Sequence, residues 1–306
     1  MDWDDMRVFL AVARGESLSR AGRMLKLDAA TVGRRIARLE QRLGVRLFTR
    51  SPQGYMLTDE GARFVAHAEA VEAELERARD ALAGPAEGIS GQVRIGAPDG
   101  CANYLLPQVV ARIMAANPAL EVQIVALPRV FSLTRREADM VIAVSHPEQG
   151  RVLVQKITDY RLHLAASDAY LSRAPALDRI EALPMHRVVG YIPDMIFDRE
   201  LDYLAAVGID HPPIASNSVS VQLNLIRQGA GVGVVHDFAL PSAPNVRRVL
   251  TEAYSLRRAF YLIRHADDRK VPRIERFAAA LIEGLRAEVA RLEGEVQGGV
   301  GRPAPG

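Results

Sequence analysis

The sequence predicts a multi-domain chain: a small, mainly α-helical module with a short hairpin at the amino terminus, one long linker helix, and a larger α/β domain. Three observations carry this expectation. Residues 17–40 read as a short helix, a break, and a second helix with apolar residues on one side and arginines on the other. Residues 58–82 hold a sustained 3.5-residue apolar repeat, closed by Gly84-Pro85. From Gln92 onward, short β-rich runs alternate with helical patterns, the texture of an open sheet flanked by helices.

The first element, Asp4 to Ala13, places Met6, Phe9, Leu10 and Ala13 on one face. A short helix from Ser17 to Leu25 and a break at Lys26-Leu27 follow. Asp28 then suits an N-cap, its carboxylate placed to accept a free backbone N–H of the next helix. In that helix Val32, Ile36, Leu39 and Leu43 form the apolar stripe, and Thr31, Arg34, Arg35, Arg38 and Arg42 fall on the opposite arc. From Arg34 to Arg50 six arginines stand against Glu40 alone. These are the parts of a helix-turn-helix, and they imply duplex DNA as a partner. A solvated basic face on an ordinary surface helix is the blander alternative. Gly44 suits the C-cap. Val45 to Arg50, the turn Ser51-Pro52-Gln53-Gly54 and Tyr55-Met56-Leu57 then predict a hairpin wing, with Arg50 near the DNA backbone.

Thr58 opens the long helix, with Asp59 and Glu60 where the helix dipole favours negative charge. Phe64, Ala68, Val71, Leu75, Ala78 and Leu82 make the 3.5-residue seam, expected to dimerise, although such a stripe can also pack on its own domain. A dimer would pair two recognition helices on a two-fold axis.

Composition bounds what remains. The chain has 306 residues, 49% hydrophobic and 25% charged, with a net charge of +2. That total hides a local excess: residues 1–60 carry eleven basic against eight acidic side chains, or +3. A single cysteine excludes an internal disulfide and a cysteine-based zinc site. The acidic start Met1-Asp2-Trp3-Asp4-Asp5 is unlike a signal peptide, and no apolar run approaches a membrane span, so a cytoplasmic location without membrane contact is expected. There is no Gly-x-Ser-x-Gly, His-Glu-x-x-His or phosphate-binding loop, which argues against an enzyme, and no clustered metal ligands. An architectural DNA protein is a third possibility, and the large second domain argues against it.

In that domain the pattern predicts strands at Val93–Ala97, Glu121–Ala126, Asp139–Val144, Val152–Ile157, Tyr160–Ala166, Ile214–Ser216, Val232–Val235 and Arg258–Arg264. Helices are expected at Asn103–Ala116, Phe131–Arg136, Asp194–Val207, Ser218–Gln228 and Arg273–Leu292, and residues 293–306 as a disordered tail.

The chain resembles the LysR-type transcriptional regulators along nearly its whole length. The resemblance rests on Phe9, Ser17-Leu18, Leu25, Thr31-Val32, Ile36, Leu39-Glu40, Leu43-Gly44, Leu47-Phe48, Arg50, Leu57-Thr58 and Gly61. Gly91-Gln92-Val93-Arg94-Ile95-Gly96 and Gly229-Ala230-Gly231-Val232-Gly233-Val234 carry it into the second domain. It implies a winged helix-turn-helix in residues 1–60, a dimerisation helix in 58–84, and a two-lobed, periplasmic-binding-protein-like effector domain in 91–292. It further implies promoter DNA, a second copy of the chain (a homodimer or a tetramer of dimers), a small-molecule co-inducer and RNA polymerase as partners, with no cofactor. Ser19, Ala29, Ala30, Thr31, Arg34, Arg35, Arg38 and Arg50 would meet DNA. The family usually has Ala-Ala at Ala21-Gly22 and often Ser at Gly33; the second departure leaves more of the recognition to Thr31 and Arg34.

Crossovers between the lobes are expected near Thr158–Asp159 and Tyr261–Ile263. Loops at strand ends would line the cleft: Pro98, Asp99, Gly100 and Cys101; Pro128 and Arg129; Ser145 and His146; Tyr191 and Ile192; Asn217 and Ser218. Helix starts near Asn103 and Val219 suit a carboxylate. Each residue has a plainer alternative. Asp99 and Gly100 make a turn, Ser218 caps its helix, His146 sits on a surface loop, and Arg129 either binds an acidic effector or projects to solvent. Cys101 either has a lowered pKa and senses oxidants or is an inert buried thiol.

Overall fold

The computed structural model describes residues 2–51, 54–82, 88–127, 138–147, 152–266 and 271–298. The chain divides into two compact units, the second beginning at Gly88.

The N-terminal unit consists of α1 (Trp3–Gly15), α2 (Leu18–Leu25), α3 (Ala29–Leu43), the hairpin β1 (Phe48–Ser51) and β2 (Gly54–Leu57), and α4 (Asp59–Leu82). Local chemistry sets the boundaries. Asp2, Ser17 and Asp28 cap α1, α2 and α3 by accepting first-turn N–H groups. Gly44 ends α3 in the left-handed region at φ 71°. The hairpin pairs Phe48 with Leu57 and Ser51 with Gly54. Its core is aromatic: the Phe9 ring lies 5.3 Å from Phe48 and 5.0 Å from Phe64, and Phe48 lies 6.0 Å from Tyr55.

Two glycines here are required by close approach. A Cβ on Gly22 would sit 2.5 Å from the Leu27 carbonyl oxygen, and one on Gly61 would sit 2.1 Å from the Leu47 carbonyl oxygen. The first lets α2 turn back tightly, with Leu27 N–H donating to the Gly22 carbonyl at 2.8 Å. The second lets α4 press against the backbone at Leu47, just before β1.

The seam of α4 divides along its length. Ala68 is fully buried and Phe64 partly buried against the α1 core of the same unit. Arg14 clamps the helix through Glu72 at 2.6 and 3.3 Å. Of the residues expected to serve dimerisation, Ala68 is therefore covered within the module and Phe64 partly so. Val71, Leu75 and Ala78 are exposed. The side chain of Leu82 lies outside the described residues.

The second unit runs β3 (Gly91–Pro98), α5 (Asp99–Tyr104), α6 (Leu106–Ala115), β4 (Leu120–Leu127), β5 (Met140–Ala143), β6 (Val152–Ser167), α7 (Asp168–Leu171), β7 (Val188–Gly190), β8 (Ile214–Ala215), α8 (Val219–Arg227), β9 (Val232–His236), β10 (Val246–Arg248), β11 (Leu256–His265) and α9 (Pro272–Gly298). One sheet orders them β4-β3-β5-β11-β6-β9-β7-β8, with β10 also on β6. The β4-β3-β5 and β9-β7-β8 ends are parallel, and β6 and β11 pair antiparallel through the middle. These two long strands join the lobes. Their register slips between Phe260 and Tyr261, opposite Thr158 and Lys156, which leaves Ile157 as an extra residue. Such a bulge bends a sheet, and it sits where the crossovers were expected.

Several expected elements take another form. Val152–Ile157 and Tyr160–Ala166 are one strand, because the β11 ladder continues through Thr158 and Asp159. Asn103–Ala116 divides at Leu105, whose φ of −120° interrupts the helix. Asp194–Val207 is not an α-helix but three single 3-10 turns at Pro193–Met195, Arg199–Leu201 and Ala205–Val207. Asp198 accepts from Glu200 N–H at 2.9 Å and Asp202 from Ala205 N–H at 3.2 Å, so local side-chain bonds compete with helical ones. Residues 293–298, expected in a tail, continue α9: Glu293 accepts the Arg161 N–H at 2.8 Å, and Arg291 pairs with Glu295 at 2.5 Å. Phe131–Arg136 and residues 299–306 lie outside the described residues.

Candidate functional site

On α3, Val32, Ile36 and Leu39 are buried while Ala30, Arg34, Arg38 and Arg42 are exposed, so the helix presents a basic outer face. Its first turn is organised by one network. Asp28 accepts both the Thr31 N–H and the Thr31 hydroxyl at 2.7 Å, and the Thr31 Oγ accepts from Arg34 at 2.8 Å. The Thr31 hydroxyl and N–H hold the Asp28 carboxyl below its ordinary value of 3.8. Arg34 is thereby held at the N-terminal end of the helix. Ser19 on α2 is exposed, and Ala29 and Thr31 are half-buried. Gly33 packs closely on α2: a Cβ there would meet Leu18 Cδ1 at 3.3 Å. Arg50 lies in β1 with its side chain outside the described residues.

Not every arginine is open to a partner. Arg38 donates from both Nε and Nη2 to Asp5, which is fully buried in α1, and Arg42 adds a contact at 3.4 Å. Arg38 was expected at the DNA. The structure engages it with a buried carboxylate while leaving its side chain 47% exposed, and hydrogen bonds to a charged group of this kind are among the stronger ones. Arg35 lies 3.7 Å from Asp4. Glu40, also on α3, turns inward. Its Oε1 accepts the Leu47 N–H at 2.8 Å and the Phe48 N–H at 3.1 Å, fastening the wing to the helix. Sequence reasoning missed Asp5 and Glu40 as partners. An isolated acid within a run of arginines is the signal that could have found Glu40.

In the second unit the expected cleft residues fall into two groups. The first gathers where α5 meets α8. Pro98 ends β3. Gly100 is buried, and a Cβ there would meet Val219 at 3.1 Å and His236 at 3.4 Å. Asp99 Oδ2 accepts from Ser218 Oγ at 3.1 Å, Ser220 N at 2.9 Å and Ser220 Oγ at 2.8 Å. Ser218 also caps α8 through the Val221 N–H at 3.2 Å. The α8 terminus expected to receive a ligand carboxylate therefore already holds one. Cys101 is fully buried, and burial pushes its thiol well above the ordinary range, the opposite of an activated thiolate. This favours the inert buried thiol of the two alternatives.

The remaining residues have other partners. Ser145 Oγ donates to Asp198, and His146 is exposed, its Nδ1 3.0 Å from the Pro147 carbonyl oxygen. Tyr191 is half-buried edge-on to Tyr203, with ring centroids 5.7 Å apart. Asn217 is half-buried beside Ser218. Arg129 lies outside the described residues.

An aromatic cluster unnoticed in the sequence lies beside Gly100. His236 stacks on Tyr160 at 5.4 Å, and Tyr160 on Phe260 at 4.2 Å. Burial lowers the His236 pKa from 6.5 to about 4, so its ring is neutral. His236 ends β9, and ligands on such sheets sit beyond strand ends, so the topology rule that located Asp99 could also have located it.

Comparisons with known proteins match both units. Residues 3–62 fit the model "Bacterial regulatory helix-turn-helix protein, lysR family", and residues 86–286 fit "LysR substrate binding domain". The transcriptional regulator PtxR of Pseudomonas aeruginosa is 25% identical over 304 residues, covering 95% of this chain and 96% of that one. CrgA of Neisseria meningitidis is 24% identical over 238 residues, covering 77% and 79%. Among solved structures, a full-length OxyR variant from Pseudomonas aeruginosa superposes with a TM-score of 0.70 at 20% identity, covering 94% and 98%. Full-length LysG from Corynebacterium glutamicum, solved with bound effector Arg, gives 0.63 at 17% identity, covering 94% and 99%. Among the described residues no helix is long and apolar enough to cross a membrane. A DNA-binding helix-turn-helix unit joined to an effector-binding α/β unit, each matched to its own family model, makes this chain a member of the LysR family of transcriptional regulators, which are not enzymes.

Proposed function

We propose that the chain binds a promoter sequence as a homodimer in the cytoplasm and that a small molecule held between the two lobes of its C-terminal unit controls that binding. The Asp28–Thr31–Arg34 network carries the DNA part of this reading. The end of a recognition helix that enters the major groove is its N-terminal end, and here Arg34 is pre-ordered there, so less side-chain freedom is lost on contact. Ser19, Ala29, Ala30 and Thr31 border it, and Arg35 and Arg50 serve the phosphates. The exposed Val71 and Leu75 on α4 support a second copy of the chain as the occupant of the rest of the seam. The bulged β6–β11 pair supports lobe movement as the response to a ligand, which would change the spacing of paired DNA modules.

The test is a titration of wild type and Arg34→Ala against the promoter fragment beside the gene, and against a scrambled duplex of the same length. The loss of one base-reading arginine should cost about 1–3 kcal/mol of discrimination, roughly a ten- to hundred-fold fall in the specific-to-nonspecific ratio. An unchanged ratio in a folded variant removes α3 from sequence reading.

A further inference from the structure

The contact between α5 and α8 identifies the class of ligand, given that an effector binds between the lobes. The α8 N-terminus is the obvious receptor for an anion, yet it is occupied from within. Asp99 Oδ2 already accepts three donors, from Ser218 Oγ, Ser220 N and Ser220 Oγ, at 2.8 to 3.1 Å. Its other oxygen, Oδ1, accepts one longer bond, from Asn103 Nδ2 at 3.2 Å. A carboxylate has about four acceptor sites over its two oxygens, so the unfilled capacity lies on Oδ1.

A second, independent feature points to a ligand at the same place. Tyr160 is 1% exposed, and its hydroxyl has no hydrogen-bond partner among the described residues. A buried hydroxyl is normally paired, and one that is not calls for an explanation. Tyr160 stacks on His236, whose ring would touch a side chain on Gly100, the residue after Asp99. Burial raises the Tyr160 pKa, and Tyr191 and Cys101, the residue after Gly100, lie near its phenol.

We propose that Asp99 takes the place of an effector carboxylate at the α8 N-terminus, so that the cleft selects a ligand bearing an ammonium group, which donates to Asp99 Oδ1 while a second ligand donor reaches the Tyr160 hydroxyl. A ligand carboxylate brought to the same terminus meets the fixed negative charge of Asp99 and finds the Ser218 and Ser220 donors engaged. A small amino alcohol or diamine meets both requirements, and a simple carboxylic acid meets neither.

The test uses the full chain and four probes, ethanolamine and putrescine against acetate and succinate, at matched ionic strength, read by thermal shift and calorimetry. The wild type should be stabilised by the amines and not by the acids, since any ligand binding only the folded state raises its melting temperature. Asp99→Ala, and Asp99→Asn as the variant closer in shape, should lose the amine response and gain one to acetate, a swing of roughly tenfold or more in relative affinity. Tyr160→Phe removes an unpaired hydroxyl, so the ligand-free protein should melt no lower, while its amine-induced shift shrinks. Stabilisation of the wild type by carboxylates, no response to either class, or an unchanged preference in both Asp99 variants overturns the assignment. A wild type that answers to carboxylates, with DNA binding altered by them, removes only the ammonium assignment. A ligand of either class that binds without altering DNA binding removes effector control instead.

Discussion

Replacing Glu40 with alanine should loosen the wing while leaving the DNA-facing side of α3 untouched. Glu40 is 8% exposed, and one of its oxygens accepts two backbone N–H groups, Leu47 at 2.8 Å and Phe48 at 3.1 Å, both from buried residues. Removing that oxygen strands both donors, and each stranded buried donor costs about 1–3 kcal/mol. The Arg46 contact at 3.3 Å adds little, because Arg46 is 82% exposed. The expected loss is about 2–5 kcal/mol, a large fraction of the stability of a module this size. Glu40→Gln keeps an acceptor oxygen and gives up the charge, so its cost should be nearer 1–2 kcal/mol. The sole tryptophan of the chain, Trp3, packs against this core, so its fluorescence during urea unfolding of the full-length protein reports on the N-terminal unit alone. A slope near 1 kcal/mol/M turns the Glu40→Ala loss into a midpoint lowered by about 2 M or more. A loss below about 0.5 kcal/mol would refute the reasoning, since that is the range of surface substitutions with no buried partner.

Arg38→Ala and Arg34→Ala should separate, although both remove an arginine from the same helix. Arg38→Ala leaves the buried Asp5 with Arg42 as its remaining partner and should lower the stability read by Trp3. Arg34→Ala should leave that stability within about 0.5 kcal/mol and act on DNA binding. Equal stabilities would show the Asp5 contact to be unimportant. Gly61→Ala places a Cβ 2.1 Å from a backbone oxygen, so α4 must move; a loss of about 1–3 kcal/mol in the same assay is expected, and a neutral result would mean that the helix shifts freely. For His236, burial lowers the folded pKa to about 4 against an ordinary 6.5. The unfolded chain therefore binds the proton first, and stability falls as pH drops from about 6.5 to about 4, by at most about 3 kcal/mol. The His236 ring resonance should titrate near 4, and His236→Asn should flatten that part of the stability curve; titration near 6.5 would contradict the burial.

What was legible in the sequence was what short-range chemistry decides. Ser17, Asp28, Gly44 and Thr58 mark helix ends because each acts within three residues of itself. The failures have physical causes. A heptad stripe does not say which partner covers it, and Phe9 reaches Phe64 before any second chain is considered. The apolar spacing between Asp194 and Val207 suits a helix, and the carboxylates of Asp198 and Asp202 divert its N–H groups. The three-residue strands β7 and β10 are too short for an alternating pattern to register. For the effector site, the rule that ligands lie beyond strand ends located Asp99 and Ser218. It could not foresee that they would bond to each other, because they stand 119 positions apart in the chain.

The division of labour among the arginines bears on how strongly salt should weaken DNA binding. Read along the chain, residues 34–50 carry six arginines and one acid, an excess of five. In the folded unit Asp5 stands against Arg38 and Arg42, and Asp4 against Arg35, so the same face includes two further acids and the excess falls from five to three. Arginines held by these acids release few counterions when the duplex arrives, because their charge is already matched. With a slope of about −0.9 per neutralised phosphate, the six arginines should contribute a logarithmic salt slope near −3 per module rather than near −5. Anisotropy titrations from low to moderate salt measure this for the whole protein, and Asp5→Asn should steepen the slope by freeing Arg38 and Arg42. A wild-type slope matching the full sequence excess, and unaltered by Asp5→Asn in a folded protein, would mean that DNA strips the arginines from their internal partners on binding. The ion pairs of α1 and α3 would then belong to the free state only.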